Sequence, residues 1–139
     1  MENLIEISDR AQQYYEDTKS WVSDLEFLKI ENDFFHHLQL DYFVELADQK
    51  DLDQLKEIFD KLLKLKLTIG KADMQCSMQL ERLALIVDNT IPEDISYLSL
   101  ENNKLFDLMQ SLTKDDRDIK LGLFYLVEKV KGTRKLLLD

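Results

Sequence analysis

Residues 55–83 read LKEIFDKLLKLKLTIGKADMQCSMQLERL, and every seventh position from Leu55 is apolar: Leu55, Leu62, Ile69, Cys76 and Leu83. A seven-residue apolar period keeps one stripe of an α-helix against its neighbours over many turns, whereas a half-buried strand alternates every second residue. The same period continues on both sides of this stretch. Before it stand Ile7, Tyr14, Trp21, Leu28, Phe35 and Tyr42; after it stand Ile91, Leu98, Leu105, Leu112, Ile119 and Leu126. Three glycines and one proline in 139 residues leave little punctuation for strands and tight turns. The chain therefore reads as all-α: an antiparallel, up-down-up bundle of three long helices with heptad seams.

Capping residues set the expected boundaries within a single domain, 1–139. Asn3 with Glu6, Asp51 with Gln54, and Thr90 with Glu93 around Pro92 each have the spacing of an N-cap and its partner three residues on. They predict a first helix over about 4–48, a second over about 51–87 and a third over about 91–137. Asp94 and Ser96 compete with Thr90 as the third cap. Connections of a few residues force consecutive helices to run antiparallel. The competing reading is four or more shorter helices, broken near Asn32-Asp33, Thr68-Ile69-Gly70 and Thr113 to Asp118. The heptad phase does not slip across any of these points, which favours continuous helices.

Each ladder has a companion set at the adjacent core position. In the first helix it is Ala11, Thr18, Leu25, Asn32, Gln39 and Leu46. In the second it is read as Leu52, Phe59, Lys66, Asp73, Leu80 and Val87. In the third it is Asn102, Met109, Asp116, Leu123, Val130 and Leu137. With turns centred near 49–50 and near 92, level positions sum to about 99 between the first two helices and about 184 between the last two. This places Asn32, Lys66 and Asp116 in a central polar layer flanked by Gln39 and Asp73. A buried unpaired charge costs several kcal/mol, so Lys66 must pair with an acid or reach water along its stem. Three readings follow: seam-edge residues that reach solvent, a layer that fixes helix register as a buried Asn does in coiled coils, or a ligand or proton site.

Charge is unevenly spread. The net −10 comprises −8 from residues 1–50 and −1 from each of 51–92 and 93–139. An acidic field repels nucleic acid and anionic membrane, which are held mainly by Lys and Arg, and is compatible with a basic protein partner. No uncharged apolar run approaches the ~20 residues of a membrane span. The start, Met1 to Glu6, lacks the basic-then-apolar order of a signal peptide, and the single cysteine fits a reducing compartment. A cytoplasmic protein is expected.

Chemistry is sparse. The only histidines, His36 and His37, point about 100° apart on a helix, and no Glu-x-x-His motif accompanies them, so no metal site is expected. Cys76 sits on an apolar ladder with no histidine level with it, which argues for a buried small side chain. Gly-rich phosphate loops, G-x-S-x-G and Cys-x-x-Cys are all missing from the sequence. No enzyme activity and no cofactor are expected. The basic C-terminal stretch, Lys129 to Lys135, complements a helix dipole.

Aromatic residues concentrate in the first helix: Tyr14, Tyr15, Trp21, Phe27, Phe34, Phe35, Tyr42 and Phe43. Val22, Phe27, Ile30 and Phe34 flank the narrow seam. They form either the margin of a wide buried stripe or a second apolar face that packs on another molecule. The second reading predicts a partner face, with a homodimer as one form of it. The heptad ladders together with Trp21 near the middle of the first helix resemble spectrin-type repeats in layout. Shorter loops and the lack of a tandem copy depart from that pattern, and the resemblance implies a scaffolding role with no functional residues attached. The expected function is therefore a non-enzymatic interaction or adaptor bundle binding through its acidic, aromatic-rich first helix. The alternative is a bundle holding a small molecule or metal at the central polar layer.

Overall fold

The computed structural model describes residues 9–46, 52–88 and 91–138, with side chains described for 9–44, 52–88 and 91–132. The expected caps at Asn3, Asp51 and Thr90, ladder residue Ile7, and the side chains of Leu46 and Leu137 lie outside those residues. Four helices occur among them: α1 (Asp9–Asp41), the single turn α2 (Phe43–Leu46), α3 (Leu52–Val87) and α4 (Ile95–Leu138). The three long ones pack against each other without strands, as an all-α three-helix bundle. α1 runs unbroken through Asn32, α3 through Gly70 and α4 through Thr113 to Asp118, so the shorter-helix alternative does not hold.

Two boundaries differ from the expected ones. The first helix stops at Asp41, not near residue 48. Tyr42 still donates its N–H to Leu38 O at 3.2 Å, but the helix does not continue beyond it as one element. Tyr42-Phe43-Val44 is a run of aromatic and β-branched residues, whose side chains lose rotamer freedom against the preceding turn of a helix. The third helix starts at Ile95, not Ile91. Pro92 disfavours helical backbone at Ile91. Asp94 then caps the helix, with its Oδ1 accepting the Tyr97 N–H at 3.1 Å and its backbone oxygen accepting the Leu98 N–H at 3.0 Å.

The described residues fall into two compact units. One draws on Met1–Phe27 and Ile69–Ser111, the other on Leu28–Thr68 and Leu112–Asp139. The first unit has an apolar cluster of Ala11, Tyr14, Leu83, Ile86 and Leu98, with Ile91 and Ile95 packed on it. Leu105 and Cys76 are buried in the same unit. In the second unit Leu28 and Phe35 of α1, Leu55, Ile58, Leu62 and Leu65 of α3, and Leu112, Ile119, Leu123 and Leu126 of α4 are buried. At ~25 cal/mol per Å² of apolar surface removed from water, such side chains supply the main drive for each unit to form.

The ladders are the core. All five α3 members, Leu98 to Leu126 on α4, and Tyr14, Leu28 and Phe35 on α1 are buried, with Trp21, Tyr42 and Ile91 half-buried. The companion set holds on α1 and α4 but is wrong on α3. There the inward positions are Ile58, Leu65, Ala72, Gln79 and Ile86, three residues after each ladder member. The expected set, Phe59, Lys66, Asp73, Leu80 and Val87, lies one residue further round and is exposed or half-buried. None of the described helices is long and apolar enough to cross a membrane.

Candidate functional site

Helix α1 buries polar side chains where a core helix ordinarily buries leucine. Asn32 and Gln39, both in the second unit, are 4% and 2% exposed. Asn32 donates Nδ2 to Leu62 O at 3.1 Å, and Gln39 donates Nε2 to Leu55 O at 3.1 Å. The two donors are seven residues apart and so are the two carbonyls, in the reverse direction, as antiparallel helices require. Each pair sums to 94, not about 99, so α1 and α3 meet about five residues from the expected register. Each carbonyl already accepts the N–H four residues on, and its second lone pair takes the amide. The amides therefore tie α1 to α3 at two fixed heights.

Asp116 on α4 is 6% exposed and faces Glu31 on α1 within hydrogen-bonding reach. Glu31 also accepts from Lys120 Nζ at 3.3 Å through Oε1. Phe35 meets Phe124 edge-to-face at 6.0 Å, so Glu31–Lys120 and Phe35–Phe124 share one offset of 89 residues. α1 and α4 accordingly run parallel in this unit. Burial, then the hydrogen bond to Glu31 and its negative charge, push the Asp116 carboxyl up to about 7, and Lys120 opposes them.

Of the five residues expected in the polar layer, the second unit contains four. Asn32, Gln39 and Asp116 are buried, but Lys66 is exposed and belongs to no layer. The reason is the α3 phase described above, which turns Lys66 outward. Asp73 lies in the first unit and is half-buried. Sequence reasoning missed Glu31 and Lys120. The signal was present, since the expected levels of 99 and 184 set α4 85 residues ahead of α1, and Glu31 then stands opposite Asp116. It also missed Gln79, which is 4% exposed on α3 with Nε2 unpartnered.

The outward side of α1 carries the other expected set. Phe27, Ile30 and Phe34 are 60%, 66% and 55% exposed. Ile30 and Phe34, both in the second unit, lie about 40° apart on the helix surface at ~100° per residue. Asp41 falls in line with them and Asp33 borders them, both exposed. Phe27 and Val22 belong to the first unit, where Val22 is half-buried and lies about 140° from Phe27, so the two do not share a face.

The remaining candidates are quiet. His37 Nδ1 lies 2.7 Å from Asp33 O, and the half-buried His36 ring sits 5.6 Å from Phe59. No group of three or more metal-ligating side chains occurs among the described residues. Cys76 is fully buried, and desolvation, helped by the charge of Asp73, pushes its thiol up to about 11. At neutral pH it is therefore a protonated, buried side chain. In the first unit a surface groove of about 320 Å³ runs beside Arg82, whose guanidinium stacks on Tyr97 at 4.2 Å. Comparison with known proteins finds no matching family, no matching curated relative and no matching solved structure.

Proposed function

We propose that this protein is a non-enzymatic interaction or adaptor bundle that docks a basic protein on the outward face of α1. The observation that carries the reading is the coincidence of large exposed apolar side chains with acidic charge on one helix. Ile30 and Phe34 of the second unit hold more than half of their surface in water, on a helix with eight acids and three bases. Exposed apolar groups rimmed by polar ones mark interaction surfaces. Charge selects among occupants. A second copy would bring the same acidic helix and a further net −10, and like charges across an interface cost several kcal/mol. A partner whose apolar residues are bordered by Lys or Arg satisfies both features.

The alternative, a small molecule held at the polar layer, has little to recommend it. Asn32 and Gln39 each already donate one amide N–H to a backbone carbonyl of α3, although Gln39 Oε1 is buried without a hydrogen-bond partner.

A direct test uses a synthetic amphipathic helical peptide of Lys and Leu, with an acidic Glu and Leu counterpart, followed by fluorescence anisotropy. The basic peptide should bind and the acidic one should not. The double variant Ile30→Glu, Phe34→Glu should lose at least tenfold in affinity for the basic peptide. Two added negative charges would strengthen purely electrostatic binding, so unchanged or tighter binding by the variant refutes apolar docking. Light scattering that gives a dimer, disrupted by the same variant, would assign the face to self-association instead.

A further inference from the structure

We infer that Glu31 of α1 and Asp116 of α4 share a single proton, making their contact a pH-sensitive latch within the second unit that loosens as the medium turns alkaline. The inference is independent of any partner on α1. It begins with two orphaned atoms. Glu31 Oε2 and Asp116 Oδ1 are both shut off from solvent, and neither has a hydrogen-bond partner. Two ionised carboxylates within hydrogen-bonding reach, out of water, would repel each other. Lys120 supplies one positive charge against two acids, and it binds Glu31.

One proton resolves the remaining imbalance. A protonated Asp116 donates to Glu31, which also accepts from Lys120. This is the arrangement of a carboxyl–carboxylate pair, in which like charges keep one member protonated.

The surroundings offer no substitute for the proton. Glu31 from α1 and Lys120 from α4 are the ionisable groups acting on Asp116, and α3 contributes none among the described residues. Lys64 and Lys66 on α3 are exposed, as are Asp115 and Arg117 beside Asp116 on its own helix. Asp116 holds its proton well above the ordinary carboxylate range, to about pH 7. The sign then follows from linkage. A carboxyl raised in the folded state contributes stability that is fully present below its unfolded range, near 4, and is lost as pH rises towards about 7.

The test is a carboxyl-carbon NMR titration of the isotopically labelled protein, which reads the group directly and needs no variant. Asp116 should titrate near neutrality, well above the ordinary carboxylate range. A midpoint in the ordinary carboxylate range overturns the latch. In the variant Glu31→Gln the Asp116 midpoint should fall by at least one unit, since its negative partner is gone. In Asp116→Asn, whose amide imitates the protonated acid, the melting temperature should exceed that of the unaltered protein at pH 8.5 and match it only near pH 3.5, below the unfolded carboxylate range. An equal difference at both pH values would reduce Asp116 to ordinary packing and overturn the proposal.

Discussion

Helices α1 and α3 are of nearly equal length but occupy the bundle differently. α3 buries ten side chains, and Gln79 is the only one that is strongly polar. α1 buries eight, of which Thr18, Asn32 and Gln39 are polar, while it leaves Phe27, Ile30 and Phe34 largely in water. α1 carries eight acids against three bases, and α3 five against six. α3 also exposes Leu67, Met74 and Met78, but among basic residues that balance its charge. The lesson is that α3 contributes almost wholly apolar area, whereas α1 adds to its five buried apolar side chains a few hydrogen bonds at fixed heights. Area stabilises without specifying register, whereas an amide aimed at one carbonyl distinguishes one register from the next.

The comparison can be broken from the α3 side first. Leu62→Ala removes a nearly fully buried side chain beside the carbonyl that Asn32 uses, and should cost about 3 kcal/mol in urea denaturation. Next comes the proton. Asp116→Asn should stabilise the protein by about 2 kcal/mol at pH 8 and leave it almost unchanged near pH 3.5. Chemical denaturation at the two pH values reads this directly.

Asn32→Ala should cost about 1 kcal/mol, because Leu62 O keeps its helical partner while the amide bond is lost. Amide exchange should then quicken on α1 around residue 32. Smallest of all is Lys66→Met. The side chain is exposed on the outer side of α3, so melting temperature and oligomeric state should not move by more than about 0.5 kcal/mol equivalent. A large loss there would return Lys66 to the buried layer and undo the assignment of register to Asn32 and Gln39.

Much of the fold was legible because a heptad ladder is a statement about one helix face and survives without knowledge of neighbours. Leu55 to Leu83 and Leu98 to Leu126 lie where the period puts them. The companion position was harder. Positions three and four beyond a ladder residue flank it on opposite sides, and the geometry of the neighbouring helices decides which turns inward. On α3 the set from Ile58 to Ile86 is the more apolar of the two, so composition could have settled the choice and kept Lys66 out of the core.

The Tyr42 break was illegible for a different reason. It rests on weak helix propensity in three consecutive residues, a bias that tertiary packing often overrides. Glu31 was concealed by its type, since an acid on an acidic helix reads as solvated until Asp116 and Lys120 are set opposite it. The exposed stripe on α1 was readable as surplus apolar residues, but the sequence left open whether they were buried.

The central claim is that the outward apolar residues of α1 do nothing for the fold. Urea denaturation of the double variant Ile30→Glu, Phe34→Glu tests it without reference to any partner. The account predicts a free energy of unfolding within about 1 kcal/mol of the unaltered protein, as for exposed positions away from core contacts. A loss of 3 kcal/mol or more, on the order of that from truncating the buried Phe35, would place these side chains in the structural core and contradict the docking face.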